Sequence, residues 1–202
     1  MSTSARNVGI VDVGVSNLAS VRHAFERLGA KVHVAREPED LAQATHVVLP
    51  GVGAARPGMR ALRERGFDRA LSSLDRPLLG ICLGMQLLFE ASEEGSTECL
   101  GLLPGRVHAL ASAPGVRVPH MGWNTLVPRR GDALLDGLPA DAQVYFVHGF
   151  AAPIDAECVA SAVHGVPFAA IVRRGKLCGT QFHPERSGAI GARVLHNFLE
   201  IA

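Results

Sequence analysis

Two short runs carry residue types that could do nucleophilic chemistry. The first is Gly80-Ile81-Cys82-Leu83-Gly84, a cysteine with a glycine two places away on each side. This is the frame of a nucleophile elbow, a sharp strand-to-helix turn that presents one side chain outward. Glycines lack Cβ atoms, so such a turn can pack closely. Free N–H groups at the helix start favour a thiolate and can stabilise a developing oxyanion. Taken alone, the stretch fits a buried structural cysteine about equally well. The second run is His183-Pro184-Glu185. Proline biases the residue before it toward an extended conformation, and in an extended chain residues two apart point to the same side. The spacing predicts that Glu185 orients the His183 imidazole and stabilises its cation, the job of the acidic member of a triad. A surface His–Glu pair in a loop is the alternative. Together the two runs make a Cys-His-Glu nucleophilic machine. Backbone N–H groups of Leu83 and of the Pro50-Gly51-Val52-Gly53 loop are its candidate oxyanion donors, although two glycines in a plain turn would look the same.

The elements that must position these residues follow from hydrophobic periodicity. Leu78–Ile81 is a short apolar run behind a proline and predicts a buried strand, and Leu83–Phe89 predicts the helix that follows it. Upstream, Val8–Val13, Lys31–Val34 and Thr45–Leu49 predict strands. Leu18, Val21, Phe25 and Leu28 recur at helical spacing after a capping Ser16 or Asn17, with Gly29 as the stop. Pro38 opens a short helix. A β-α-β-α-β rhythm of this kind implies right-handed crossovers and a parallel sheet, with functional residues at the carboxyl ends of the strands. Helical segments are expected across Arg60–Leu74 and a polar loop over Ser92–Glu98. Beyond Leu100 prolines and glycines become frequent. Strands are predicted at Arg106–Leu110, Trp123–Val127, Gln143–Val147, Val159–Val163, Phe168–Arg173 and Lys176–Gln181, with a hairpin turn at Arg174-Gly175. These should add antiparallel strands to the first sheet or form a second small one. A last helix is expected from Gly188 to Ile201. The expected fold is α/β, a three-layer, flavodoxin-like mixed central sheet flanked by helices, with residues 1–202 as one domain.

Composition excludes several classes. The chain has 202 residues, 48% hydrophobic and 19% charged, so it can bury a sizeable core and is not disordered. A net charge of +1 gives no electrostatic reason to expect nucleic acid or an acidic membrane as partner. The four cysteines (Cys82, Cys99, Cys158 and Cys178) form no C-x-x-C pair, which argues against a disulfide framework or a zinc site and fits a reducing cytosol. No apolar run is long enough to span a membrane, and Met1–Asn7 lacks the apolar core of a signal peptide. The expected location is cytoplasmic. His108, His164 and His196 have no motif around them and read as structural or surface residues.

Gly80-Ile81-Cys82-Leu83-Gly84-Met85-Gln86 with His183-Pro184-Glu185 resembles the signature of the class I (triad) glutamine amidotransferases. Other runs are similar to one branch of that family, the glutaminase subunits of imidazole glycerol phosphate synthase. They are Asp12-x-Gly14-x-x-Asn17-Leu18, Pro50–Gly53, Pro119-His120-Met121-Gly122-Trp123-Asn124 and Tyr145-Phe146-Val147-His148-Gly149-Phe150. The resemblance covers nearly the whole chain in the family's order. It implies that Cys82 attacks the side-chain amide of L-glutamine, that His183 moves the protons and that Glu185 orients His183. A γ-glutamyl thioester would then be hydrolysed. The ammonia would pass, out of contact with bulk solvent, to a separate (β/α)₈ cyclase subunit. That subunit makes imidazole glycerol phosphate for histidine synthesis and an aminoimidazole carboxamide ribotide. The resemblance assigns the oxyanion hole to Val52 and Leu83, and glutamine binding to Gly51, Gln86, Glu94 and the backbone around His148 and Gly149. It puts His120, Met121, Trp123 and Asn124 near the partner interface, although Trp123 alone reads equally as a core aromatic. No metal or organic cofactor is implied. Two positions depart from the family pattern: Gly149 replaces the usual serine or threonine, and Phe150 the usual tyrosine. A glutaminase subunit of another amidotransferase is the alternative reading.

Overall fold

The computed structural model describes residues 6–14 and 17–202. The chain begins β1 (Asn7–Val11), α1 (Leu18–Arg27), β2 (Lys31–Ala35), a 3₁₀ turn (Pro38–Gln43), β3 (His46–Gly51), α2 (Ala55–Glu64), α3 (Phe67–Ser72), β4 (Leu78–Cys82) and α4 (Leu83–Gln86). Short strands β5 (Ala91–Ser92), β6 (Thr97–Glu98) and β7 (Arg106–Ala109) follow, then β8 (His120–Thr125), β9 (Val127–Pro128), β10 (Gln143–His148) and β11 (Phe150–Ala151). The last elements are β12 (Cys158–His164), β13 (Val166–Arg174), β14 (Leu177–Thr180) and α5 (Gly188–Leu199).

The central sheet has the order β2-β1-β3-β4-β14-β13-β12-β9. From β2 to β14 neighbouring strands run parallel, and β13, β12 and β9 extend the sheet antiparallel. This is the expected mixed α/β sheet. The C-terminal half does both things open to it: it extends the first sheet, and it builds β10-β8 and β11-β7-β5-β6 beside it. Alternation along the parallel strands feeds two cores. Val8, Ile10 and Val48 pack with Phe25 of α1 and Val194 and Phe198 of α5. Val11, Val47 and Leu49 pack on the other face with Met59 and Leu62 of α2 and Phe67 and Leu71 of α3. Both faces of the sheet are thus covered by helices, as a parallel sheet requires. Each fully buried Leu or Phe here contributes about 1.5–3 kcal/mol.

Several elements differ from the sequence expectation. The helix after Cys82 is a single turn ending at Gln86 instead of Phe89, because the next amides bond three residues back: Leu88 N–H donates to Met85 and Phe89 N–H to Gln86. The polar Ser92–Glu98 stretch contains the β5–β6 hairpin. Helix α2 starts before Arg60, at Ala55, with no local capping side chain. Its cap comes from far along the chain, as Ala55 N–H donates to Glu94 Oε2 at 2.7 Å. Asn17 caps α1, accepting from Ser20 N–H at 3.4 Å, while Ser16 lies outside the described residues. No helix among the described residues is long and apolar enough to cross a membrane.

Candidate active site

Cys82 ends β4 at the carboxyl edge of the sheet with φ 54° and ψ −110°. A non-glycine residue held there costs about 1–3 kcal/mol of local strain. The surrounding backbone leaves it no alternative. A Cβ on Gly84 would overlap the Leu49 carbonyl oxygen, and one on Gly80 would lie 2.7 Å from the Gly84 carbonyl. In the sheet register Cys82 pairs with Gly51, so the loop after β3 stands beside the sulfur.

His183 follows β14 with extended φ −97° and ψ 96°. Its N–H donates to the Tyr145 carbonyl at 3.0 Å, and Ser187 Oγ donates to its carbonyl at 2.8 Å. Glu185 is not on an extended continuation, as the spacing suggested, but on a 3₁₀ turn (Pro184–Arg186). The turn still brings its Oε1 2.8 Å from His183 Nδ1, with both side chains buried. A carboxylate only accepts, so Nδ1 carries the proton and Nε2 is the atom left for chemistry. Nε2 and Glu185 Oε2 are buried without a hydrogen-bond partner. Burial opposes the imidazolium, but the nearby Cys82 sulfur and the hydrogen bond and charge of Glu185 prevail, raising the His183 pKa to about 10. Since Nε2 makes no hydrogen bond of normal geometry, the Cys82 contribution acts through proximity.

Cys82 and His183 line one cavity of about 190 Å³, together with Val52, Gly53, Leu83, Gln86, Glu94 and Val147–Phe150. That space suits a small polar molecule. A larger cleft of about 390 Å³, lined by Arg76, Arg174 and Lys176, lies at the amino ends of β4 and β14 and contains none of these groups.

A strained cysteine, an acid-paired histidine and a small cavity thus meet at the strand ends. A family model described as glutamine amidotransferase class-I matches residues 9–202. The chain belongs to the class-I glutamine amidotransferase family. Relatives found by sequence comparison include chains named imidazole glycerol phosphate synthase subunit HisH. The one from Xanthomonas oryzae pv. oryzae is 58% identical over 196 residues, covering 97% of this chain and 98% of its own. The one from Xylella fastidiosa (strain Temecula1) is 53% identical over 194 residues, covering 96% and 97%. Among solved structures, one described as a glutamine amidotransferase superposes with TM-score 0.76 at 22% identity, covering 96% of this chain and 97% of its own. PurLQS from Thermotoga maritima gives 0.74 at 20%, covering 97% and 98%. At those identities the likeness is one of fold.

In this amidotransferase the remaining expected residues fall into two groups. Gln86, Glu94, His148 and Gly149 line the cavity, whereas Gly51 pairs with Cys82 in register but does not line it. Gln86 Nε2 already donates to the Phe150 carbonyl at 2.8 Å and to Gln181 Oε1 at 3.0 Å, so Oε1 is its one atom left for a ligand. Glu94 combines its place in the cavity with the α2 cap. The residues expected at a partner surface divide by strand alternation. Met121 and Trp123 on β8 are 65% and 56% exposed, whereas His120 is 4% exposed and Asn124 turns inward to the Val163 carbonyl. His120 therefore belongs to the interior, with rings of Phe146 and His164 stacked on it.

Sequence reasoning missed Gln181. It is fully buried, with Nε2 3.8 Å from Cys82 Sγ. The available signal was alternation: Gln181 precedes His183 by two residues on an extended segment, which puts both on one side.

Proposed function

We propose that the chain is the glutaminase subunit of an imidazole glycerol phosphate synthase, hydrolysing L-glutamine through Cys82, His183 and Glu185. The Cys82 sulfur attacks the side-chain amide carbon. The carbonyl oxygen becomes an oxyanion, which the N–H groups of Leu83 and Val52 stabilise. His183 Nε2 takes the Cys82 thiol proton and gives it to the departing nitrogen, so ammonia leaves and a γ-glutamyl thioester remains. Water then attacks the thioester, its proton passing to His183, and glutamate leaves as the thiol is restored. Glu185 holds the imidazole by Nδ1 and stabilises its charge throughout. Gln86 Oε1 and Glu94 offer acceptors for the α-ammonium of glutamine. The backbone at His148 and Gly149 serves its α-carboxylate.

The observation that carries this reading is the elbow Cys82 sharing a cavity with His183, whose Nδ1 lies 2.8 Å from Glu185 Oε1. Identity of 58% to a HisH chain over nearly the whole length supports the choice of synthase. The ammonia is delivered to a cyclase subunit, which makes imidazole glycerol phosphate for histidine synthesis, and the two form a heterodimer. Met121 and Trp123, with Val163 and Val166 at the β12–β13 hairpin beside them, are exposed apolar residues suited to that contact. The reaction belongs in the cytoplasm, with the other steps of a biosynthetic route. The test is glutamate release from glutamine, alone and with the cyclase plus its nucleotide ligand. The complex should turn over glutamine much faster than the isolated chain. An equally fast rate without the cyclase points instead to a free-standing glutaminase.

A further inference from the structure

The side chains between β8 and the Cys82 sulfur are joined by hydrogen bonds whose directions are fixed by their acceptors. The Phe150 carbonyl is the anchor, because it can only accept. It takes N–H bonds from His148 Nδ1 at 2.9 Å and from Gln86 Nε2 at 2.8 Å. A neutral His148 protonated on Nδ1 presents Nε2 as an acceptor, so its 3.0 Å contact is a donation from His120 Nδ1. A neutral His120 then accepts at Nε2, where Asn124 Nδ2 stands at 3.4 Å. Asn124 cannot be turned round: its Nδ2 also donates to the Val163 carbonyl at 2.8 Å, and its Oδ1 accepts Thr125 N–H at 2.8 Å. In the other direction, the second Gln86 Nε2 hydrogen goes to Gln181 Oε1 at 3.0 Å. Gln181 Nε2 is left facing Cys82 Sγ.

We propose, on the reading that Cys82 is the glutaminase nucleophile, that this chain is a positioning device for the reaction. Gln181 steadies the reacting sulfur directly. His120 acts through His148 on the Phe150 carbonyl that holds Gln86 and Gln181 in place. The device works only while both histidines are neutral and carry their proton on Nδ1. A proton added to either ring sets two donors against each other somewhere along the chain. Burial first, then neighbouring histidine charge, lowers the pKa of both rings to about 4, which keeps them neutral at working pH. The titratable groups facing the pair are His164 on β12, stacked on His120 at 4.1 Å, and His183. No carboxylate pairs with either ring among the described residues.

Two measurements test this. The first is the ¹⁵N signature of the imidazole rings in the full chain at pH 7. Both His120 and His148 should appear neutral with the proton on Nδ1, against the Nε2–H form that free histidine prefers. A cation or an Nε2–H tautomer at either ring overturns the chain. The second compares Gln181→Met with Gln181→Glu in the complex with the cyclase. Losing the N–H aimed at the reacting sulfur should lower glutamine kcat about tenfold in Gln181→Met, with KM changed less than about twofold. Alkylation of Cys82 by iodoacetamide should slow alongside. Gln181→Glu should be worse on both readouts, because it turns a carboxylate toward the sulfur. Equal losses in the two variants, or an unchanged alkylation rate in Gln181→Met, make Gln181 a packing residue and overturn the proposal. If the wild-type complex releases no glutamate, the proposed function fails, while the tautomers and alkylation rates still judge the chain.

Discussion

The elbow at Cys82 and the small β8–β10 sheet shape the same cavity, but different forces hold them. At the elbow, backbone touches backbone. Gly84 lies so close to the Leu49 carbonyl that not even a methyl group fits, and Gly51 pairs with Cys82 in register. The joint has one shape, and the strain at Cys82 is kept because the parallel sheet on both sides cannot move. The β8–β10 side has looser walls. Its outer face carries exposed Met121 and Trp123, and its inner face is tied down by hydrogen bonds through His120 and His148. Gly149, on the loop between β10 and β11, has its nearest prospective neighbour, Val118 Cγ1, at 3.9 Å. The proposed nucleophile is therefore built into the rigid half, with Gln86 on the helix turn beside it, while His148 and Gly149 hang from the adjustable half.

Breaking the rigid half should have the larger effects on turnover. Val52→Pro removes one N–H beside the elbow and fixes φ, deleting a proposed oxyanion donor. Glutamine turnover should fall roughly 10²–10³-fold, while ammonia-dependent synthesis in the complex persists. Wild-type hydrolysis by a variant that assembles normally removes Val52 from the oxyanion hole. Glu185→Gln should lower kcat about 10²-fold, the scale of impaired acid–base catalysis. It should also bring the His183 pKa down from about 10, since the carboxylate charge and hydrogen bond both raise it. In wild type the ring stays charged until the pH rises through that value. In the variant the charge should be lost at lower pH, which a histidine NMR titration reads directly. An unmoved titration would mean that Glu185 does not govern the ring.

The paired glycines give the smallest effects and the sharpest contrast. Gly84→Ala should destabilise the fold by about 1–3 kcal/mol or more, lowering Tm by several degrees. Gly149→Ser has room for its side chain and should leave Tm nearly unchanged. The added hydroxyl should lower the glutamine KM by a few-fold with kcat unaltered, as for a uniform binding contact. Equal Tm losses at the two sites would erase the distinction between rigid and adjustable halves.

The same distinction explains what could be read from the sequence. The elbow was legible because its geometry is local: glycines two residues either side of Cys82 and an apolar run before it determine the turn. The parallel strands and α1 were legible for the same reason, each carrying its own periodicity. What escaped was set by distant residues. Nothing near Ala55 announces that α2 starts there, since its cap is Glu94. The predicted extension of the helix to Phe89 followed helix propensity, which the tighter bonding after Gln86 overrode. The family resemblance put His120 near the partner interface together with Met121 and Trp123. Only the strand register with β10, opposite His148, turns it inward. Glu185 reaches His183 by a 3₁₀ turn instead of strand alternation, so the pairing was anticipated by the wrong route.

The central claim is that Cys82 forms a covalent intermediate with glutamine. Acid-quenching the enzyme during turnover with isotope-labelled glutamine, followed by peptide mapping, tests it most directly. The label should be on the peptide containing Cys82, as a γ-glutamyl thioester, and should vanish with glutamate release in Cys82→Ala. Steady hydrolysis with no labelled peptide, or with label on Cys99, Cys158 or Cys178, would contradict the account.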